Sequence, residues 1–576
     1  MFMCGIAGIF GLSDRNLIGR MAEKIAHRGP DSVGFFIDKE ISLGMRRLSI
    51  IDLRTGDQPV YDDEKGLVIV FNGEIYNYQE LREDLKKKGH KFHTSGDTEV
   101  ILHAYKEYGA AGLGKLNGMF AVAIYDIKKN ELILARDRAG IKPLYYAFAG
   151  GKLIFGSEIK CILEYKEFKP QVDNDALSSY LTYGTVFGGF TLFKGVNKLL
   201  PGKILSFNGK EAKLSDFEKK WDSGTGSHSP DALLTLMEKV VKSQMVSDVP
   251  LGAFLSGGID SSTIVGIMSN AVERPVETFT VGFGEKSDEV AYARAVSEHF
   301  GTNHHELIVF PEEVPQIVNK LVWHYDDLTW DSASLPVYMV SELARKHVKV
   351  VLTGEGSDEL FAGYERYKPF SPAIPFVPAS MRWSAYRRFI TMFDSGTRRK
   401  LASISSSYAE KVLDGYEKRR GSPLQNVLDF EFNEFLPHQL LNKADKATMA
   451  ASLEGRVPYL DNDMIAFAAK VPLEMKLHGL EGKHILRKSV AGLLPDITRK
   501  RMKKGFGAKP IFWFRDKGMM DFTRNMLDDA RMKAIGIDCS YCDEIIRNLE
   551  KPKKAYQLWA LLLLELWYRK FIEAEK

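Results

Sequence analysis

The chain has 576 residues, 45% of them hydrophobic and 27% charged, and its 79 basic and 75 acidic residues leave a formal net charge of +4. That balance fits folded globular proteins, excludes fibrous and disordered classes, and offers no global attraction to nucleic acid or to an anionic membrane. Cys4, Cys161, Cys539 and Cys542 are too few for a disulfide framework, so a reducing, cytoplasmic setting is expected.

Taken in order, Met1-Phe2-Met3 has neither a basic segment nor room for an apolar one, so no signal peptide is expected ahead of Cys4. The first two hundred residues carry short β-type runs, including 67–71, 120–125 and 132–134, interrupted by helical patterns at 78–88 and 98–108. That mixture predicts sheets covered by helices. Residues 208–230 crowd Gly, Ser, Asp and Lys together and read as a linker, giving domains at 1–207 and 231–576. From residue 231 long helices alternate with compact apolar strands at 249–255, 276–283 and 348–352. Each strand runs into a glycine-containing loop, the arrangement of an open parallel sheet with ligand at its carboxyl end. The late apolar run 558–567 contains Glu565 and reads as a buried helix, not a membrane span.

Two stretches carry chemistry. A cysteine at a mature N-terminus holds a nucleophile and a base in one residue, since a thiol titrates near ~8.5 and an α-amine near ~7.7 to 8.0. Cys4 sits in Met3-Cys4-Gly5. Met1 and Phe2 stand ahead of Met3, so this base requires Met3 to be the true start and to be removed, or a short propeptide to be cleaved. Asn72-Gly73 offers a side-chain amide and a backbone N–H to an oxyanion, although Asn-Gly after an apolar strand also reads as a type I′ hairpin turn.

The second stretch is Leu255-Ser256-Gly257-Gly258-Ile259-Asp260-Ser261-Ser262, a strand end, a glycine turn and a helix start. Unpaired amides and the helix dipole favour an anion there. A lone Gly-Gly would signify only a tight turn. Asp260 repels phosphate unless a cation intervenes, which implies magnesium, and Thr353-Gly354-Glu355-Gly356-Ser357-Asp358 at a second strand's end supplies Asp358 to share it. Without a Walker-type loop, the string resembles the pyrophosphatase loop of enzymes that split ATP to AMP and pyrophosphate.

With His27-Arg28-Gly29-Pro30-Asp31, Arg47-Leu48-Ser49-Ile50, Asn72-Gly73-Glu74, Ser95-Gly96-Asp97, Arg136-Asp137, Val457-Pro458-Tyr459-Leu460-Asp461 and Gly482-Lys483-His484 in order, the front half resembles class II glutamine amidotransferases. The whole is similar to glutamine-dependent asparagine synthetases. That resemblance implies an αββα N-terminal-nucleophile domain followed by an α/β domain of the adenine-nucleotide α-hydrolase type with added helices. It implies Cys4 as nucleophile, Asn72 and Gly73 as oxyanion hole, and Arg47, Ile50, Glu74 and Asp97 around glutamine. Leu255, Ser256, Gly257, Gly258, Asp260, Ser261, Val281, Thr353 and Gly354 would line an ATP site. Asp260 and Asp358 would bind Mg2+, with Glu355 and Lys483 serving an aspartyl-adenylate step. A cytoplasmic homodimer using glutamine, aspartate and ATP, without nucleic acid or membrane, completes the expectation.

Two rival readings of the sequence stay open: a related amidotransferase acting on another carboxylate, and a nucleic-acid-modifying enzyme using Cys539, Cys542 and the basic run at 499–504. Cys539-Ser-Tyr-Cys542 is half a zinc motif without a second pair nearby. The basic run is ordinarily a solvated helix end, and phosphate electrostatics is a third reading of it.

Overall fold

The computed structural model describes residues 4–217, 228–284, 289–402, 404, 406–499, 501, 509–538 and 540–573. The N-terminal half contains β1 (Cys4–Phe10), β2 (Ser32–Asp38), β3 (Ile41–Arg47), β4 (Val60–Tyr61), β5 (Leu67–Ile75), β6 (Gly118–Asp126), β7 (Glu131–Arg136), β8 (Tyr145–Ala149), β9 (Lys152–Gly156), β10 (Val196–Lys198), β11 (Lys203–Phe207) and β12 (Ala212–Asp216). They form two six-stranded antiparallel sheets, ordered β10-β8-β9-β1-β3-β2 and β12-β11-β7-β6-β5-β4.

Alternation along the strands dictates four layers. Ile6 and Phe10 of β1 join Val68, Val70, Ala121 and Ala123 in the core between the sheets. Ala7 and Ile9 face the other way, against Leu17, Ile18 and Met21 of the helix Arg15–Glu23. On the far side Ile69, Phe71, Val122 and Ile124 pack against Val100, Ile101 and Ala104 of the helix Thr98–Tyr108. Fully burying each such aliphatic or aromatic side chain contributes about 1.5 to 3 kcal/mol. The result is an αββα stack.

Asn72 and Gly73 lie inside β5, opposite Ala121 and Phe120 of β6, so the hairpin-turn reading is overruled by pairing that runs to Ile75. Gly73 is required there: a Cβ would lie 2.0 Å from the Met119 carbonyl oxygen. Residues 212–216, read from sequence as linker, form β12 against β11, because backbone pairing at a sheet edge needs little apolar periodicity.

The C-terminal half is built on β13 (Leu251–Phe254), β14 (Glu277–Gly282), β15 (Asn303–Ile308), β16 (Val350–Leu352) and β17 (Glu454–Arg456), a parallel sheet ordered β15-β14-β13-β16-β17. β13 and β16 are neighbours, so the turns after Leu255 and after Leu352 open side by side at the carboxyl edge. The late apolar run lies in the helix Pro552–Tyr568, whose Leu558, Leu561 and Trp567 are fully buried in the core. No described helix is long and apolar enough to cross a membrane.

Candidate active sites

Cys4 begins β1, opposite Arg47 of β3, and is fully buried. Its backbone nitrogen donates to Asn72 Oδ1 at 3.1 Å. Asn72 Nδ2 is buried and has no hydrogen-bond partner among the described residues, and a buried donor left unpaired costs about 1 to 3 kcal/mol unless something else uses it. Burial pushes the Cys4 thiol up to about 12, against the pull of the Leu48 amide and Arg47. The thiol is therefore protonated at rest, and a base must take its proton before it attacks.

The remaining residues expected around glutamine fall into two kinds. Asp97 is fully buried, accepts from the Ile75 amide at 2.8 Å, and has its carboxyl raised well above the usual range by burial and by Glu74. An ammonium group beside it would reverse that shift. Arg47 ends β3 and its guanidinium contacts the Asp57 carboxylate and donates to the Asp52 carbonyl at 2.9 Å. Ile50 is fully buried, and its carbonyl accepts from Asp248 of the other half at 3.0 Å.

Glu74 is turned toward the other half. Its Oε2 accepts from Arg456 Nη2 of β17 at 2.8 Å, and the same guanidinium meets Glu454 at 2.5 Å. Burial raises the Glu74 carboxyl to about 7, with Arg456 opposing and Glu454 adding to the rise.

A second buried pair ties the Cys4 strand to the C-terminal half. Arg28, fully buried, donates from Nε to the Cys4 carbonyl at 3.3 Å, from Nη1 to Glu158 at 3.0 Å, and from Nη2 to Asp445 at 2.8 Å. Lys142 Nζ reaches the other Asp445 oxygen at 3.2 Å. Sequence reasoning read Arg28 only as part of a motif string and did not single out Asp445, whose partners lie roughly three and four hundred residues away. Between the halves lies a small cavity walled by Ile141 and Lys142 on one side and by Phe254, Thr353 and Glu355 on the other.

On the C-terminal side the cavity's Phe254, Thr353 and Glu355 are also walls of a much larger one, of about 810 Å³. Leu255, Ser256, Asp260, Ser261, Thr353, Gly354 and Asp358 line it. Ser256 Oγ stands 3.2 Å from Ser261 Oγ and accepts from the Gly258 amide at 3.3 Å. Gly257 takes φ +69°, and a Cβ there would meet Tyr292 at 2.5 Å. Gly257 and Gly258 thus shape the turn, and Val281 is buried in β14; none of the three is a cavity wall.

Asp260 and Asp358 do converge, on the Lys483 ammonium. Lys483 Nζ lies 2.7 and 2.6 Å from the two Asp260 oxygens and 2.8 Å from Asp358 Oδ1. Ser357 Oγ donates to Asp260 at 2.7 Å. Gly363 makes room for the group: a Cβ would fall 2.0 Å from Asp358 Oδ1 and 2.1 Å from Lys483 Cε. Glu355 Oε2 is buried and makes no hydrogen bond among the described residues.

Glu359, not anticipated from sequence, also lines the cavity, and burial together with Asp358 raises its carboxyl to about 7. Its only sequence signal was adjacency to Asp358. Within the basic run, Arg501 donates to the Ser256 carbonyl at 2.6 Å and to Glu289 at 2.6 Å, so this member of the run is paired against the Ser256 turn and is not a solvated helix end. Lys500 and residues 502–504 lie outside the described residues, as does Cys539; Cys542 is buried on the helix Ser540–Arg547.

Residues 3–220 match the family model described as glutamine amidotransferase domain, so the layered half carrying Cys4 is that of a glutamine amidotransferase. Residues 232–569 match the model described as asparagine synthase, and the chain belongs to the asparagine synthase family, as a glutamine-hydrolysing ligase. It is 33% identical to asparagine synthetase [glutamine-hydrolyzing] 1 of Bacillus subtilis, over 99% of this chain and 97% of the relative. It is 32% identical to a putative asparagine synthetase [glutamine-hydrolyzing] of Mycobacterium bovis, over 99% and 96%. A putative asparagine synthetase [glutamine-hydrolyzing] 2 of Methanocaldococcus jannaschii is 38% identical, over 63% of this chain and 76% of its own length.

Proposed function

We propose that the chain makes asparagine from aspartate and ATP through an aspartyl adenylate, releasing AMP and pyrophosphate and taking its ammonia from glutamine at Cys4. The observation that carries the reading is a small cavity with walls from both halves, between the amidotransferase fold and the Ser256 and Thr353 turns. The two sites are one device. Free ammonia would be protonated and lost in bulk water, and the sharing of Glu355 and Thr353 by both cavities supports delivery of ammonia to an activated acceptor there.

At the first site the Cys4 nitrogen, freed by processing of the N-terminus, takes the thiol proton as the sulfur attacks the glutamine carboxamide. Asn72 Nδ2 and the Gly73 amide receive the oxyanion, Asp97 holds the α-ammonium and Arg47 the α-carboxylate. Glu74, held by Arg456, links glutamine's site to the neighbouring half.

At the second site the Ser256 hydroxyl, the amides of the Gly257-Gly258 turn and Ser261 bind the phosphates, with Leu255, Thr353 and Gly354 shaping the pocket and Val281 supporting it from β14. Asp260 and Asp358, gathered about the Lys483 ammonium, offer carboxylate oxygens of the kind a hard divalent cation takes, so they would hold Mg2+, which when bound neutralises charge on the polyphosphate. The Lys483 ammonium already joins these carboxylates. It stabilises negative charge on the α-phosphate as the aspartate β-carboxylate displaces pyrophosphate. Glu355, with a buried oxygen that makes no hydrogen bond among the described residues, orients the incoming amine and accepts its proton.

The test is pyrophosphate release with aspartate as acceptor, followed in the purified full chain. ADP as the nucleotide product would refute the proposed phosphate chemistry. One observation favours a second acceptor class: the cavity reaches about 810 Å³ and extends to Tyr556, Met392 and Phe389, the last 65% exposed. Such walls fit a carboxylate on a larger, partly apolar body. Pyrophosphate release with that acceptor and none with aspartate would assign the enzyme to it.

A further inference from the structure

The amino ends of β14 and β15 carry a cluster whose own side chains line neither cavity, although Phe279, which packs on it, is also a wall of the larger one. Glu277 opens β14, His305 lies on β15, and His347 sits between the helix Ser334–Ala344 and β16. One ligand atom from each of the three side chains can be chosen so that all lie within 4.8 Å of one another. Glu277 Oε2 is 2.7 Å from His305 Nε2, and the two imidazole centroids are 3.9 Å apart.

An ordinary carboxylate–histidine ion pair accounts for Glu277 and His305 alone. It does not account for His347, brought ring to ring against His305 from a separate segment. Nor does it account for the support behind them. Asn303 Nδ2 donates to both Glu277 oxygens at 2.9 and 3.0 Å, and the Phe279 ring stacks on His305 at 5.1 Å. A carboxylate fixed by an outer amide and an imidazole fixed by a ring are what a metal centre needs of its surroundings.

We propose that Glu277, His305 and His347 bind a divalent transition metal, Zn2+ above all, with solvent completing its coordination. Two imidazoles and one carboxylate form a donor set that zinc accepts, and the hard cations Mg2+ and Ca2+ do not favour it. Glu277 and His305 are partly exposed and His347 is exposed, so the ion has an entry path and an open position for water. The metal fastens the amino ends of β14 and β15 to the segment leading into β16. Its effect is on stability, since whatever binds only the folded chain raises its stability by mass action.

The experiment uses the full-length chain stripped with a chelator, titrated with Zn2+ against a chromophoric indicator, and separately with Co2+ followed by its visible absorption. One equivalent of Zn2+ bound, a Co2+ band of low-coordinate geometry, and a raised melting temperature with Zn2+ are expected. His347→Asn, at an exposed position that leaves folding intact, and Glu277→Gln should abolish all three. Asn303→Ala should weaken binding about 10- to 100-fold. Glutaminase activity should be the same in all these variants. Absence of stoichiometric Zn2+ binding, or equal binding by His347→Asn and Glu277→Gln, would overturn the proposal.

Discussion

Replacing Asn72 separates two jobs that the structure gives to one side chain. Its Oδ1 accepts from the Cys4 nitrogen at 3.1 Å, and its Nδ2 is buried without a partner among the described residues. Asn72→Ala removes both, while Asn72→Asp keeps an acceptor for Cys4 and exchanges the donor for an oxygen. Losing the first hydrogen bond costs about 1 kcal/mol of stability. Losing a donor aimed at an oxyanion costs about 2.7 to 4 kcal/mol in the transition state, or roughly 10²- to 10³-fold in kcat. Because the donor acts on charge that develops only during reaction, KM for glutamine should change little. The assay is glutamate release at saturating glutamine, with ammonia-supported pyrophosphate release as the control for folding. A rise in KM with kcat intact, or a loss in kcat below about tenfold, would refute the assignment of Asn72 to the oxyanion.

Asp260→Asn should cut pyrophosphate release by several kcal/mol of transition-state energy, on the order of 10²-fold or more, and leave glutamine hydrolysis intact; equal loss of both activities would contradict separate sites. Asp445→Asn leaves Arg28 and Lys142 facing one another without the carboxylate between them, and breaking a buried pair of this kind costs about 3 to 5 kcal/mol, so an unchanged melting temperature would count against that contact. Glu359 has its carboxyl raised from an ordinary 4.5 to about 7, so the folded chain binds the extra proton and this group's contribution to stability is lost as pH rises from 4.5 through 7. Glu359→Gln should therefore flatten the fall in stability across that window by up to about 3 kcal/mol, read by denaturant unfolding at pH 5 and pH 8; identical slopes would show that Glu359 does not hold a proton in the fold.

Much of the site was legible because its chemistry is local. Cys4, the Ser256 turn and the Thr353 turn are each declared by a few contiguous residues, and the periodicity around them marks a strand or a helix start. Asn72-Gly73 was legible as chemistry but ambiguous as structure. Two residues cannot tell a turn from a strand whose pairing with β6 continues to Ile75, and only the crowding of Gly73 against the Met119 carbonyl explains the glycine.

What the sequence does not carry is long-range pairing. Arg28 with Asp445, Glu74 with Arg456, and Lys483 between Asp260 and Asp358 are partners more than 120 residues apart in every case. No periodicity or spacing links them. β12 and β17 escaped notice for a related reason: they are short edge strands held by backbone hydrogen bonds, and their residues bury too little apolar surface to leave a pattern.

The claim that one nucleophile feeds a separate ATP-dependent centre is tested most directly by Cys4→Ala. Glutamate and product formation from glutamine should fall to background, while product and pyrophosphate formed with added ammonium chloride stay at the level of the unaltered chain. Loss of the ammonia-supported reaction in the correctly folded variant would contradict the division of labour on which this account stands.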